Sequence, residues 1–423
     1  MLNRTLAPDF KQVSTINFIH PQKRELSNGV PVFTIYSREQ DLVRIEFIFN
    51  NVNWNLEKPL QAIAVSSMLN NGTRKLSSKE IAERIDFYGA FFQTEYLQDQ
   101  SSVTLYTLNK HLPFVLPIVK DILSDSQFPQ YELDIYIQNQ KQKLQVNLQK
   151  NDVLSRKAFA NALFGNTAYG VDIQERHYDA LKRDDLIEYF NEAYTANNCT
   201  IIVSGKFDDE SLELLNEQFG KDWREGNAVK NKFAFADTQK QVIYNERPEA
   251  IQSAVRMGKI AVNRKHPDFP GLQILNTVLG GYFGSRLMNN IREDKGYTYG
   301  IGSGISSLHD AGYFFIATEV GTDVCADTLT EIYKEIDILK NELVEDEELD
   351  LVRNYMLGSM LGSLENVFSH ADKFKNIYFA GLDYDYYTNY IEKVKTITAD
   401  ELKALANKYF TTDDFVEVVI GKK

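Results

Sequence analysis

At 423 residues the chain is too long for one ordinary domain and suits two of about 200 residues each. Its 43% hydrophobic and 25% charged residues are the balance of a globular protein in water, and a formal net charge of −13 argues against nucleic acid or anionic membrane as a main partner. The two cysteines, Cys199 and Cys325, form no CxxC motif or disulfide framework, which suits a reducing compartment.

From the N-terminus, MLNRTLAPDFKQVST lacks the apolar stretch of a secretory leader. No later segment reaches the ~18 apolar residues of a membrane span. The expectation is a cytoplasmic protein. Strands are expected at 30–36, 43–49 and 102–107. Between the last two, Ser77 and Glu80 have the spacing of a capping box ahead of Ile81, Ile85 and Tyr88, so a helix starts there. A long helix is expected over 130–150, followed by a β-rich run, CTIIVSG, at 199–205. The polar stretch 223–241 shows no periodicity and marks the junction between two domains, 1–225 and 240–423. Beyond it, strands are expected at 253–262 and 312–319. The acidic run NELVEDEELD (341–350) reads as a solvated turn opening a helix over 346–363, where carboxylates suit the helix N-terminus. A second capping box, Thr398 with Glu401, precedes Leu402, Leu405 and Tyr409, and the chain closes on the β-rich FVEVVIG.

Two of these stretches repeat. Laid on 397–422 without gaps, 181–206 is identical at seven of 26 positions, among them Asp184 on Asp400, Leu186 on Leu402 and Gly205-Lys206 on Gly421-Lys422. The same offset of 216 lays Glu132-Leu133-Asp134 on Glu348-Leu349-Asp350. One offset in two separate places argues for a duplicated unit. The expected fold is therefore α+β: two homologous domains from an internal duplication, each a mostly antiparallel sheet packed with helices.

Residues 60–90, LQAIAVSSMLNNGTRKLSSKEIAERIDFYGA, resemble the motif helix of pitrilysin/insulinase-like zinc peptidases in Met68-Leu69, Gly72-Thr73 and Gly89-Ala90. Catalytic members of that family carry H-x-x-E-H, two histidines on one helix face holding zinc and a glutamate polarising the attacking water. The resemblance puts Ile63 and Ser67 at the histidine positions and Ser66 at the glutamate. Isoleucine has no lone pair, and serine is neither a base near neutrality nor a good zinc ligand. The family's third ligand would fall in about 141–147, yet 135–151 contains no Asp or Glu. The six histidines, His20, His111, His177, His266, His309 and His370, include no pair at i, i+3 or i, i+4, so a relocated metal site is not supported.

Residues 279–304, LGGYFGSRLMNNIREDKGYTYGIGSG, are similar to the family's C-terminal signature, in which an Arg and a Tyr seven residues apart reach a shared chamber and hold peptide backbone. Arg292 and Tyr299 have that spacing. A guanidinium offers forked donors to a carbonyl or carboxylate, and a phenol can donate to a developing oxyanion. Gly280–Ser285 is neither G-x-x-x-x-G-K-[ST] nor G-x-G-x-x-G, so it gives no nucleotide site.

The resemblance implies a clamshell peptidase fold and a chain that is not a peptidase by itself. It implies a non-catalytic, peptide-binding subunit of a heterodimeric zinc metallopeptidase. No cofactor is expected in this chain; zinc is expected in an H-x-x-E-H-bearing partner, with oligopeptides as ligands. The alternative is an inactive homodimer, structural or peptide-binding, on the same fold.

Overall fold

The computed structural model describes residue 13 and residues 15–423. Among the described residues, eleven strands form two mixed sheets. β1 (Gln22–Glu25), β2 (Pro31–Tyr36), β3 (Val43–Asn50), β4 (Phe91–Tyr96), β5 (Gln100–Thr107) and β6 (Cys199–Gly205) make the first, in the order β1-β2-β6-β3-β5-β4. β7 (Gln241–Glu246), β8 (Gln252–Ala261), β9 (Thr298–Ser307), β10 (Gly312–Gly321) and β11 (Val416–Gly421) make the second, in the order β7-β11-β8-β10-β9. Without β1 the two orders are the same. Each sheet has one parallel pair, β2 with β6 and β7 with β11, and is antiparallel elsewhere. The repeat in sequence is thus a repeat in topology.

The helices repeat at the same offset. Gln130–Asn147 and Asp346–Gly362 begin 216 residues apart, as do Arg183–Ala193 and Ala399–Tyr409. Both capping boxes form: Ser77 and Thr398 accept from the backbone N–H of Glu80 and Glu401, whose carboxylates reach back to the cap N–H groups.

The central strands are buried on both faces. β6 and β11 are buried along their whole length, and β3 over all but its last residue. Such strands read as continuous apolar runs rather than alternating ones. One face of each sheet is covered by helices of its own half, giving two large cores. The other face is covered by a helix of the opposite half. Helix Asn151–Phe164 lies on β8 and β11, with Phe159, Leu163 and Phe164 packed against Val416, Val418 and Ile420. Helix Val367–Tyr378, 216 residues later, lies on β2 and β6, with Val367, Ala371 and Phe374 packed against Phe33, Ile35, Ile48 and Ile202. The exchange is reciprocal.

Polar contacts fix both ends of the exchange. Arg44 of β3, 4% exposed, pairs with Asp372 at 2.8 Å and donates to the Phe368 carbonyl at 3.1 Å; Lys375 pairs with buried Glu46 at 2.6 Å. On the opposite side Arg247 donates to Gln149 and Asn151, both at 2.9 Å. Between the sheets, Asp99 accepts from the backbone N–H of His309 at 2.8 Å and from the Tyr169 hydroxyl at 2.5 Å. No described helix is long and apolar enough to cross a membrane.

Candidate functional site

Helix Gln61–Met68 belongs to the N-terminal half and packs against helix Gln130–Asn147. Ile63 is half-buried on the N-terminal core, Ser66 is buried, and Ser67 is exposed. Across from them, burial pushes the phenol of Tyr136 up to about 12, and its contact with the Ser67 hydroxyl pulls the other way. The facing helix therefore meets the motif helix with a neutral phenol, and Ile137 beside it joins the same apolar contact. In the 141–147 window, Lys141 points to carboxylates elsewhere, Glu175 at 2.9 Å and Asp179 at 2.7 Å. Among the described residues no three His, Cys, Asp or Glu side chains come together in a way that could hold a metal ion. Ile63, Ser66, Ser67 and Tyr136 do not fit zinc, and no catalytic step can be derived through one here.

The other residues singled out in the sequence lie in the C-terminal half, on an irregular stretch. Two π-helical turns, Thr277–Gly281 and Met288–Asp294, flank the link 282–285 and a helical step at 286–287. Such turns are rare and concentrate at functional sites. The first runs so close to β9 that a Cβ on Gly280 would sit 2.6 Å from the Ser303 hydroxyl and 2.8 Å from its backbone nitrogen, so only glycine fits. The second is tied down on two sides: Arg286 makes a forked pair with Glu348 at 2.9 and 2.7 Å, and Asn290 donates to Glu331 and Glu335. Glu348, read from the sequence as part of a solvated helix start, is thus also a strut for this stretch.

Arg292 and Tyr299 meet. The Arg292 guanidinium lies 5.3 Å from the centre of the Tyr299 ring, and its Nε is 3.4 Å from Glu293. Tyr299, at the start of edge strand β9, is 89% exposed, so it is not a core aromatic. A third side chain joins them: the Phe283 ring is 4.5 Å from the same guanidinium and is 65% exposed. Tyr282 explains that exposure. Its backbone is extended and its ring packs on Tyr355, 4.8 Å centre to centre. Phe283 follows it in a turn and stays open to solvent. The result is a cation held against two rings at the surface, able to donate to a carbonyl or carboxylate while the rings take up apolar groups.

Sequence reasoning brought Arg292 and Tyr299 together and missed Phe283. Its signal was a large aromatic inside a glycine turn, GGYFGS, where neither core periodicity nor a phosphate loop calls for one.

Comparison with known proteins adds to this geometry. Residues 180–356 match the family described as "Peptidase M16 inactive domain". Among curated proteins the chain is 26% identical over 353 residues to an uncharacterized zinc protease, YmxG, of Bacillus subtilis, covering 82% of this chain and 84% of that one. It is 23% identical over 380 residues to a Helicobacter pylori protein described as a non-peptidase homolog, covering 85% and 83%. Among solved structures, an M16 inactive-domain protein from Pseudomonas fluorescens superposes with a TM-score of 0.86 at 22% identity, covering 95% of this chain and 98% of that one. A chain of Candida albicans complex III2 superposes with a TM-score of 0.72 at 14% identity, covering 95% of each.

Proposed function

We propose that this chain, a non-catalytic relative of the M16 zinc peptidases, is the peptide-binding subunit of a two-chain peptidase whose other subunit carries H-x-x-E-H. The observation that carries the reading is the exposed cluster of Arg292, Tyr299 and Phe283 in the C-terminal half. A guanidinium set between two exposed rings suits a peptide, whose backbone oxygens and apolar side chains it can meet together.

Zinc in such a partner would supply the activated water. This chain's contribution is positioning and charge. Arg292 donates to the peptide carbonyl or a substrate carboxylate, and the guanidinium's rigid fork fixes orientation. The Tyr299 hydroxyl donates toward oxygen as negative charge develops on it.

The likeness to a complex III chain favours a second reading, in which the fold serves as an assembly subunit or a homodimer and hydrolyses nothing. One experiment separates the two. The purified chain and its nearest H-x-x-E-H-bearing relative are assayed separately and mixed, for zinc and for cleavage of quenched fluorescent oligopeptides. The expected result is a zinc-free, inactive chain that joins its relative and raises its cleavage rate. A stable homodimer that ignores the relative would support the assembly reading.

A further inference from the structure

The Arg292 guanidinium has an outward-facing phenylalanine ring 4.5 Å away. Phe283 is 65% exposed, and its neighbour Tyr282 packs on Tyr355 in its place, so the ring adds little to the fold. Exposed rings of this size gain most when something covers them, since burying one removes 150–250 Å² of apolar surface from water. Phe283 also shields one part of the Arg292 guanidinium, whose side chain is 25% exposed, and Tyr299 shields another at 5.3 Å. A partly dehydrated guanidinium pairs more strongly with the oxygen it meets than a fully hydrated one.

We propose that Phe283 is a specificity-determining residue of this site: Arg292 holds a peptide oxygen while Phe283 packs against the adjacent side chain of the same peptide. The ligands selected are oligopeptides with an aromatic or large aliphatic residue beside the held oxygen. Glycine at that place leaves the ring uncovered, so no apolar surface is removed from water. The inference rests on the peptide-binding reading given above, and adds to it which peptides are taken.

The test uses the full-length chain and two fluorescein-labelled pentapeptides, Ala-Ala-Phe-Ala-Ala and Ala-Ala-Gly-Ala-Ala, with binding followed by anisotropy. Wild type is expected to favour the Phe peptide by about tenfold, the order expected for covering one aromatic side chain. Phe283→Ala should bring the ratio below about twofold, weakening the Phe peptide far more than the Gly peptide, and Phe283→Leu should keep most of the preference. Because Phe283 lies outside the core, circular dichroism should show both variants folded. Arg292→Ala should weaken both peptides by a similar factor and leave their ratio intact. If Arg292→Ala weakens binding but Phe283→Ala leaves the preference whole, the assignment of Phe283 fails and the peptide-binding reading stands. If Arg292→Ala changes nothing, or neither peptide binds, both fail.

Discussion

His370 accepts a hydrogen bond through Nδ1 from the backbone N–H of Ile19 at 3.2 Å, which ties the N-terminal arm to a helix 351 residues later. Phe18 stacks on Tyr387 and His20 on Tyr384 alongside it. Burial holds the His370 imidazole below its usual range, and a proton on Nδ1 would set donor against donor. The unfolded chain then binds more protons than the folded one between the folded pKa and about 6.5, so stability rises with pH across that window. Urea midpoints should accordingly fall as pH drops below about 6.5, with a shallower slope in His370→Gln. Equal slopes would show that the arm does not depend on a neutral His370.

Other single residues differed in how plainly the sequence spoke. Arg292 and Tyr299 were legible because a family spacing named them. Phe283 was not, because its place beside Arg292 comes from how the turn after Tyr282 folds, which no local pattern shows. Tyr136 was hidden for a related reason. The search for a third ligand over 135–151 looked for carboxylates, while the side chain that meets Ser67 is a phenol within that range.

Among the elements, the central strands and capped helices were readable from local pattern alone. The edge strands were not. β4 (FFQTEY) alternates between exposed and half-buried, β7 (QVIYNE) lies against the polar junction and is largely exposed, and β9 (TYGIGSGISS) carries glycines that weaken any strand signal. The exchanged helices were missed differently. Periodicity shows that Val367, Ala371 and Phe374 share one face, but not which sheet that face covers. The exchange makes a clear prediction for Phe374, which is 7% exposed and 4.6 Å from Phe33 of the other half. Phe374→Ala should cost about 3–5 kcal/mol by urea denaturation, as for a core aromatic. A cost under ~1 kcal/mol would mean the helix only rests on the first sheet.

For the whole molecule, two related halves that each complete the other's sheet should behave as one folding unit. Each half alone would leave one sheet face bare: Phe33, Ile35, Ile48 and Ile202 in the first, and Val416, Val418 and Ile420 in the second. Fragments 1–225 and 240–423, expressed separately, should therefore be aggregated or loosely folded, and refolding them together should restore a native near-ultraviolet spectrum. Two independently cooperative fragments would contradict this. A framework closed in this way also places its surface residues reproducibly, which a binding subunit needs if Arg292 is to meet a peptide held by a second chain.

That meeting is the central claim, and the most direct measurement of it is kcat/KM of the complex with an H-x-x-E-H-bearing relative, with wild-type chain and with Arg292→Ala. Loss of about 10²- to 10³-fold, with complex formation and zinc content unchanged, is the expected result for removing one donor to the reacting peptide. Unchanged kcat/KM in an intact complex would contradict the account.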